Sequence, residues 1–150
     1  MSTSEHVDLG RELVEQVADA MIFADRDGLI RVWNAAAEAV FGYSAQEVTG
    51  RSLDVVIPER LRSAHWSAYD AAIATGRMKH GRESMTTRSA HKDGSVLYVD
   101  LSFALVKDGS GEVLGSVAMA RDITKRFLAE KESRQRIAEL EAQLKPRTVR

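Results

Sequence analysis

Residues 95–106 read Ser95-Val96-Leu97-Tyr98-Val99-Asp100-Leu101-Ser102-Phe103-Ala104-Leu105-Val106, and this stretch decides the fold. Successive side chains of an extended strand point to opposite faces. Leu97, Val99, Leu101, Phe103 and Leu105 therefore share one face, and Tyr98, Asp100 and Ser102 share the other. Turn sequences bound the run on both sides, Lys92-Asp93-Gly94 before it and Asp108-Gly109-Ser110-Gly111 after it,. Beyond those turns, Lys79 to His91 and Glu112 to Asp122 keep the period of two. The pattern predicts an antiparallel meander of three strands with one buried face.

Towards the N-terminus the period changes. Pro58 stands at the start of a segment, Glu59 to Thr75, that closes with Gly76, a frame that predicts a helix of about four turns,. Ser44-Ala45-Gln46-Glu47 has the form of a capping box,. Asn34 precedes Ala35 to Phe41 with Gly42 behind it, so it is placed to cap one further short helix,. Arg26-Asp27-Gly28 separates the apolar runs Met21 to Asp25 and Leu29 to Trp33, which is a hairpin signal,. Leu9, Leu13 and Val17, with Val14 beside them, form one stripe of an amphipathic helix within residues 8–19,. At the other end, Lys125 to Leu144 is charged and helical in composition, with Ile137, Leu140 and Leu144 at 3,4 spacing and Pro146 as the stop,. The fold class is α+β: a five-stranded antiparallel sheet with helices on one face, plus an N-terminal amphipathic helix and a C-terminal helix.

Composition excludes several functions. The 150 residues include 21 basic and 22 acidic ones, for a formal net charge of −1. That balance, with no run of like charge, argues against nucleic acid or a membrane surface as a partner. There is no secretory signal and no apolar run near the roughly 20 residues a span needs, so a cytoplasmic location is expected. Zero cysteines removes disulfides, thiolate metal sites and thiol nucleophiles. No nucleophile elbow, phosphate-binding loop or dinucleotide fingerprint occurs, so no enzyme is expected.

These elements carry a distributed signature that resembles the PAS domain, the PAS/PAC sensor family. Its parts are Asp25-Arg26-Asp27-Gly28, Val32-Trp33-Asn34-Ala35-Ala36-Ala37-Glu38, Phe41-Gly42-Tyr43 with Glu47 and Gly50, Ile57-Pro58-Glu59, His91-Lys92-Asp93-Gly94, and Arg121-Asp122-Ile123-Thr124. The resemblance divides the chain into a polar segment 1–9, a PAS sensor domain 10–126, a signalling helix or coiled coil 127–145 and a disordered tail 146–150. It implies a sensor or interaction module with a pocket between the helices and the sheet. It also implies a signal relay, Arg121, Asp122, Ile123 and Thr124, that hands the pocket's state to the last helix.

The missing cysteine then discriminates within the family. Light-sensing relatives that form a cysteinyl flavin adduct, and relatives that tether a chromophore through a thioester, are both excluded, and Ala120 stands where the flavin-contacting Gln of those relatives is expected. The other ligand the family suggests is haem b. Haem-binding PAS sensors carry an axial histidine in an Arg-x-x-His setting, which Arg62-Ser63-Ala64-His65 matches, and a neutral imidazole suits haem iron,. His65 is thus both the candidate metal ligand and the first cofactor-binding residue. Trp66, Tyr69, Met85, Leu101, Phe103 and Met119 complete that set. Met85 falls where those sensors place the arginine that steadies bound oxygen, counted from His65 and from Asp93 alike. A thioether donates no hydrogen bond, so carbon monoxide, nitric oxide or redox state fits better than oxygen, unless Arg82 or Arg88 supplies a donor.

The alternatives stay open. His65 can be a structural histidine, Trp33 and Trp66 can be core, and Met21, Met78, Met85 and Met119 can be filling or pocket wall. His6, His80 and His91 make no metal constellation,. The expected partners are a second copy, joined through the N- and C-terminal helices, and a signalling effector protein or domain. The rival reading is a ligand-free dimerisation or interaction module whose pocket is packed.

Overall fold

The computed structural model describes residues 7–79 and 83–146. Helix α1 (Leu9–Gln16) leads into strands β1 (Ala20–Asp25) and β2 (Ile30–Trp33). Helices α2 (Ala35–Phe41) and α3 (Ala45–Val48), a 3-10 helix over Leu53–Val56, and the long α4 (Glu59–Thr75) follow. Strands β3 (Met85–Ala90), β4 (Val96–Lys107) and β5 (Val113–Asp122) then precede α5 (Thr124–Leu144). The sheet order is β2-β1-β5-β4-β3 with every pair antiparallel. The expected five-stranded α+β architecture is the one observed.

Local chemistry sets the element ends. The Asn34 Oδ1 accepts from the Ala37 amide at 3.0 Å, capping α2, and Gly42 closes that helix at φ 82°,. Ser44 and Glu47 make the reciprocal capping box of α3,. A hydrogen bond to the Lys92 ammonium, supported by one from the Ser44 amide, holds the Glu47 carboxyl down at about 2. The α4 helix runs from the residue after Pro58 to the residue before Gly76.

Two expectations change in detail. Among the described residues of the run from Lys79 to His91 the strand covers Met85–Ala90, and α5 begins at Thr124, inside the segment assigned to the sensor domain. The reason for the second is an Asx turn: the Asp122 carboxylate accepts from the Thr124 amide at 2.9 Å and so starts the helix at once,.

The core lies between the inner sheet face and α2, α3 and the 3-10 helix. Ile22, Trp33, Phe41, Val48, Val56 and Val99 are among its buried members, and Trp33 packs on Phe41 at 5.4 Å between ring centroids. Asn34 is the buried polar residue at its N-terminal edge. Besides capping α2, its Oδ1 accepts from the Met21 amide at 2.9 Å, and its Nδ2 donates to the Val14 and Asp19 carbonyls at 2.8 and 3.1 Å. Both donors and both acceptor sites are thereby used, and α1, β1 and α2 meet on one side chain. No helix among the described residues is long and apolar enough to cross a membrane.

Candidate functional site

The inner face of the sheet and helix α4 do not close on each other. Between them lies a cavity of about 570 Å³, within the range that binds small ligands. Its α4 wall follows from helical spacing: Leu61, Ala64, His65, Ala68, Tyr69 and Ala72 recur every three or four residues and share one face,. The alanines among them leave room instead of filling it. Opposite, Val99, Leu101 and Phe103 project from β4, with Ser116 and Ala118 from β5. Phe41, Val56 and Ile57 form the floor.

His65 is half-buried on this wall, and its Nδ1 is buried with no hydrogen-bond partner. Burial pushes the imidazole pKa below its ordinary value, against the opposing influence of Asp54 and Asp70, so the neutral form is favoured,. Tyr69 stands one turn on, its ring centroid 5.8 Å from that of His65. Its hydroxyl donates to the Asp25 carbonyl at 2.5 Å, with the Ala24 carbonyl at 3.2 Å, tying α4 to the end of β1. Burial and then the nearby Asp25 push the phenol up to about 12, so it stays a donor.

Of the seven residues expected at the cavity, His65, Tyr69, Met85, Leu101 and Phe103 line it. Trp66 and Met119 do not, and both expectations are corrected. Trp66 is offset by one residue from the α4 face that carries His65 and Tyr69. Its indole N–H donates to the Asp54 carboxylate at 2.7 Å, and its ring covers Gly28 in the β1–β2 turn. Met119 alternates with the inward-facing Ala118 and so lies on the outer face of the sheet, paired in register with Met21 and Ser102,. Met21 shares that outer face, whereas Met78 joins Met85 in the lining. His91 packs against Gly42, and its Nδ1 accepts from the Asp93 amide at 3.1 Å. Arg88 is among the lining residues, and its guanidinium lies 5.6 Å from the Tyr98 ring centre. His6, His80 and Arg82 lie outside the described residues, as do residues 147–150 of the tail.

Sequence reasoning passed over the alanine stripe of α4 and the small residues of β5. The signal was present as 3,4 spacing from Leu61 to Thr75, but alanine in a helix reads first as propensity. Arg77 and Lys79, which also line the cavity, had no periodic signal.

At the far side of the sheet, the residues expected to relay a signal form one hydrogen-bonded joint. The Ile123 amide donates to the Tyr98 carbonyl at 2.9 Å, and the Thr124 hydroxyl accepts from the Tyr98 amide at 2.9 Å while donating to Asp122 at 2.5 Å. The rings of Tyr98 and Phe127 stack at 4.0 Å between centroids and 15° between planes,. Arg121 makes a two-pronged ion pair with Asp19, at 3.0 and 3.2 Å, and Arg126 reaches Asp100 at 3.6 Å. Tyr98 stands between Val99 and Leu97, so the strand that walls the cavity also holds the first turn of α5.

Comparison with known proteins places this arrangement. A family model described as the PAS fold matches residues 8–123. The chain is 28% identical over 136 residues to the sensor protein FixL of Bradyrhizobium diazoefficiens, covering 89% of this chain and 25% of that protein. It is 27% identical over 124 residues to the oxygen sensor protein DosP of Escherichia coli, covering 83% of this chain and 15% of that protein. A solved PAS domain from Colwellia psychrerythraea superposes with a TM-score of 0.67 at 23% identity, over 77% of this chain and 95% of that one, a likeness of fold. The chain spans a quarter or less of the length of the curated relatives it matches.

Proposed function

This chain belongs to the PAS family, and from that premise we propose that it is a ligand-binding sensory module whose cavity takes haem b through His65. The observation that carries the reading is His65 in the wall of a largely apolar cavity of about 570 Å³, its imidazole held below its ordinary pKa by burial. A histidine kept neutral by burial has the donor chemistry that haem iron takes, and the surrounding wall of alanine, leucine and phenylalanine suits a flat apolar ring,. When bound, haem supplies an iron centre that responds to diatomic gases or to redox state. Met85 can give that centre a sulfur or an apolar contact but no hydrogen bond, which favours carbon monoxide, nitric oxide or redox state as the signal.

The chain's own part is mechanical. Leu101 and Phe103 touch the cavity, and Tyr98 on the same strand holds Ile123, Thr124 and Phe127. A shift of β4 relative to β5 therefore tilts the start of α5. A coupling of about 1 to 3 kcal/mol changes partner affinity roughly five- to a hundredfold. The partners we propose are a second copy of this chain and an effector protein or domain, because the apolar stripes of α1 and α5 lie exposed: Leu9, Leu13, Ile137 and Leu140 are each more than half accessible. The rival, a ligand-free module with a packed pocket, gains no support from so large a cavity.

Reconstitution with hemin tests the reading. Wild-type protein should develop a Soret band of a histidine-ligated haem, and His65→Ala should lose that ligation signature while keeping its circular dichroism. Protein that takes up no hemin overturns the haem assignment.

A further inference from the structure

Away from the cavity, the end of the sheet that meets α5 carries a row of alternating charge. Asp19, in the segment between α1 and β1, gives both carboxylate oxygens to Arg121 on β5, at 3.0 and 3.2 Å. Arg121 stands directly opposite Asp100 on β4. The charge of Asp19, and after it that of Asp100, pushes the Arg121 guanidinium above its ordinary pKa. Asp100 in turn accepts from the Thr86 hydroxyl through Oδ1 at 2.9 Å and meets Arg126 of α5 through Oδ2 at 3.6 Å. Arg126 reaches on to Glu130, one turn along α5, at 3.9 Å. The row reads minus, plus, minus, plus, minus, and it crosses from the α1–β1 segment over β5 and β4 to α5.

An isolated surface pair contributes little, but a network with good geometry contributes more. The Asp19–Arg121 contact is two-pronged, which fixes direction as well as distance, and the side chains of Asp19 and Asp100 are only 32% and 35% exposed. Asp19 is also held at its backbone: the buried Asn34 donates to its carbonyl at 3.1 Å and to that of Val14 in α1 at 2.8 Å. A shift of α1 therefore moves the residue that starts the row. At the other end Arg126 precedes Phe127, whose ring stacks on Tyr98, and Tyr98 shares a face of β4 with Asp100. The row and the stack grip the same first turn of α5. We propose that the row is a second input to α5, by which a displacement of α1 reaches that turn through Asp19, Arg121, Asp100 and Arg126 without passing through the cavity. The domain then reports the position of its leading helix as well as the content of its pocket. The inference rests on the reading of α5 as the output helix, but on no ligand, and Arg121 and Arg126 act in it as positioning residues.

Amide hydrogen exchange on the ligand-free full chain tests the proposal, read at residues 127–131 of α5, with circular dichroism verifying that each variant is folded. Asp19→Asn and Arg121→Gln should each speed exchange there by about two- to fivefold. Asp19→Glu, which keeps the charge, should restore most of the protection. Glu15→Pro, at an exposed position inside α1, breaks that helix. It should speed the same amides in the wild-type background and add nothing in Arg121→Gln. Exchange at 127–131 that ignores Asp19 and Arg121 overturns the proposal. An effect of Glu15→Pro that persists in Arg121→Gln also overturns it, because α1 then acts on α5 by another contact. Should Glu15→Pro unfold the domain, Asp19→Asn combined with Arg121→Gln decides: a double variant no faster than either single one supports the row, and additive effects overturn it. Hemin plays no part in these measurements. Failure of the haem assignment therefore leaves a coupled row standing, and His65-dependent ligation of hemin does not rescue a row that fails.

Discussion

His65 and Asn34 are the two side chains on which most depends, and their chemistry differs. For His65 the folded-state pKa lies below the ordinary 6.5, chiefly through burial. The unfolded chain therefore takes up its proton first as pH falls. The stability contributed by the neutral imidazole is complete above pH 6.5 and is lost progressively as pH drops from there through the folded-state value. Urea midpoints measured at pH values of about 7.5 and 5.5 should fall between the two, and the fall should shrink in His65→Gln; superimposable profiles for the two proteins would show that another group titrates. Asn34 is fully hydrogen-bonded in the core. Asn34→Ala removes a helix cap and leaves buried carbonyl and amide groups unpaired, a cost of about 2 to 4 kcal/mol in urea unfolding. Asn34→Asp keeps the acceptor but sets a carboxylate oxygen against the Val14 and Asp19 carbonyls in the core, so it should cost at least as much as Asn34→Ala,. Equal stability for all three proteins would dismiss this junction.

At the level of elements, α4 is fixed to the sheet at two points that flank the cavity, the Tyr69 hydroxyl on the end of β1 and the Trp66 ring over Gly28. Gly28 has φ 77°, and a side-chain carbon there would run into the indole. Gly28→Ala should therefore cost about 1 to 3 kcal/mol by chemical denaturation and shift the Trp fluorescence maximum, from backbone strain and displacement of the ring together; an unshifted emission and unchanged stability would mean that the turn relaxes freely. These elements differ in how far they can be read from sequence. The capped helices, the Asp-Gly turns and the alternation of β4 were all legible, because each rests on a local rule of hydrogen bonding or period. What failed was the choice of face. On β5 the larger residues Val117 and Met119 point outward and the smaller Ser116 and Ala118 point in, the reverse of the usual ordering of size and burial, because the inner face borders a cavity. Trp66 departs from the expectation for a related reason: adjacent helical positions diverge by about 100°, so His65 lines the cavity while neighbouring Trp66 covers Gly28 in the β1–β2 turn. Arg77 and Lys79 follow the helix end, where no period guides the eye.

The molecule presents two apolar stripes, on α1 and on α5, and no residue of either helix is buried. A stable monomer rarely leaves such helices bare. Sedimentation equilibrium should reveal a concentration-dependent monomer–dimer distribution, and Leu13→Glu with Ile137→Glu should move it towards monomer; a mass that does not respond to concentration or to these substitutions sinks the homodimer. The sheet order has a further consequence. The first residue of β1 and a residue near the end of β5 are partners, Ala20 opposite Ala120, and paired strands stand about 5 Å apart. The polypeptide thus comes in and goes out through one narrow doorway. Such a unit behaves as a parenthesis in a longer sentence: grafted into a single surface loop of a host protein, or excised from one, it leaves the flanking segments where they were.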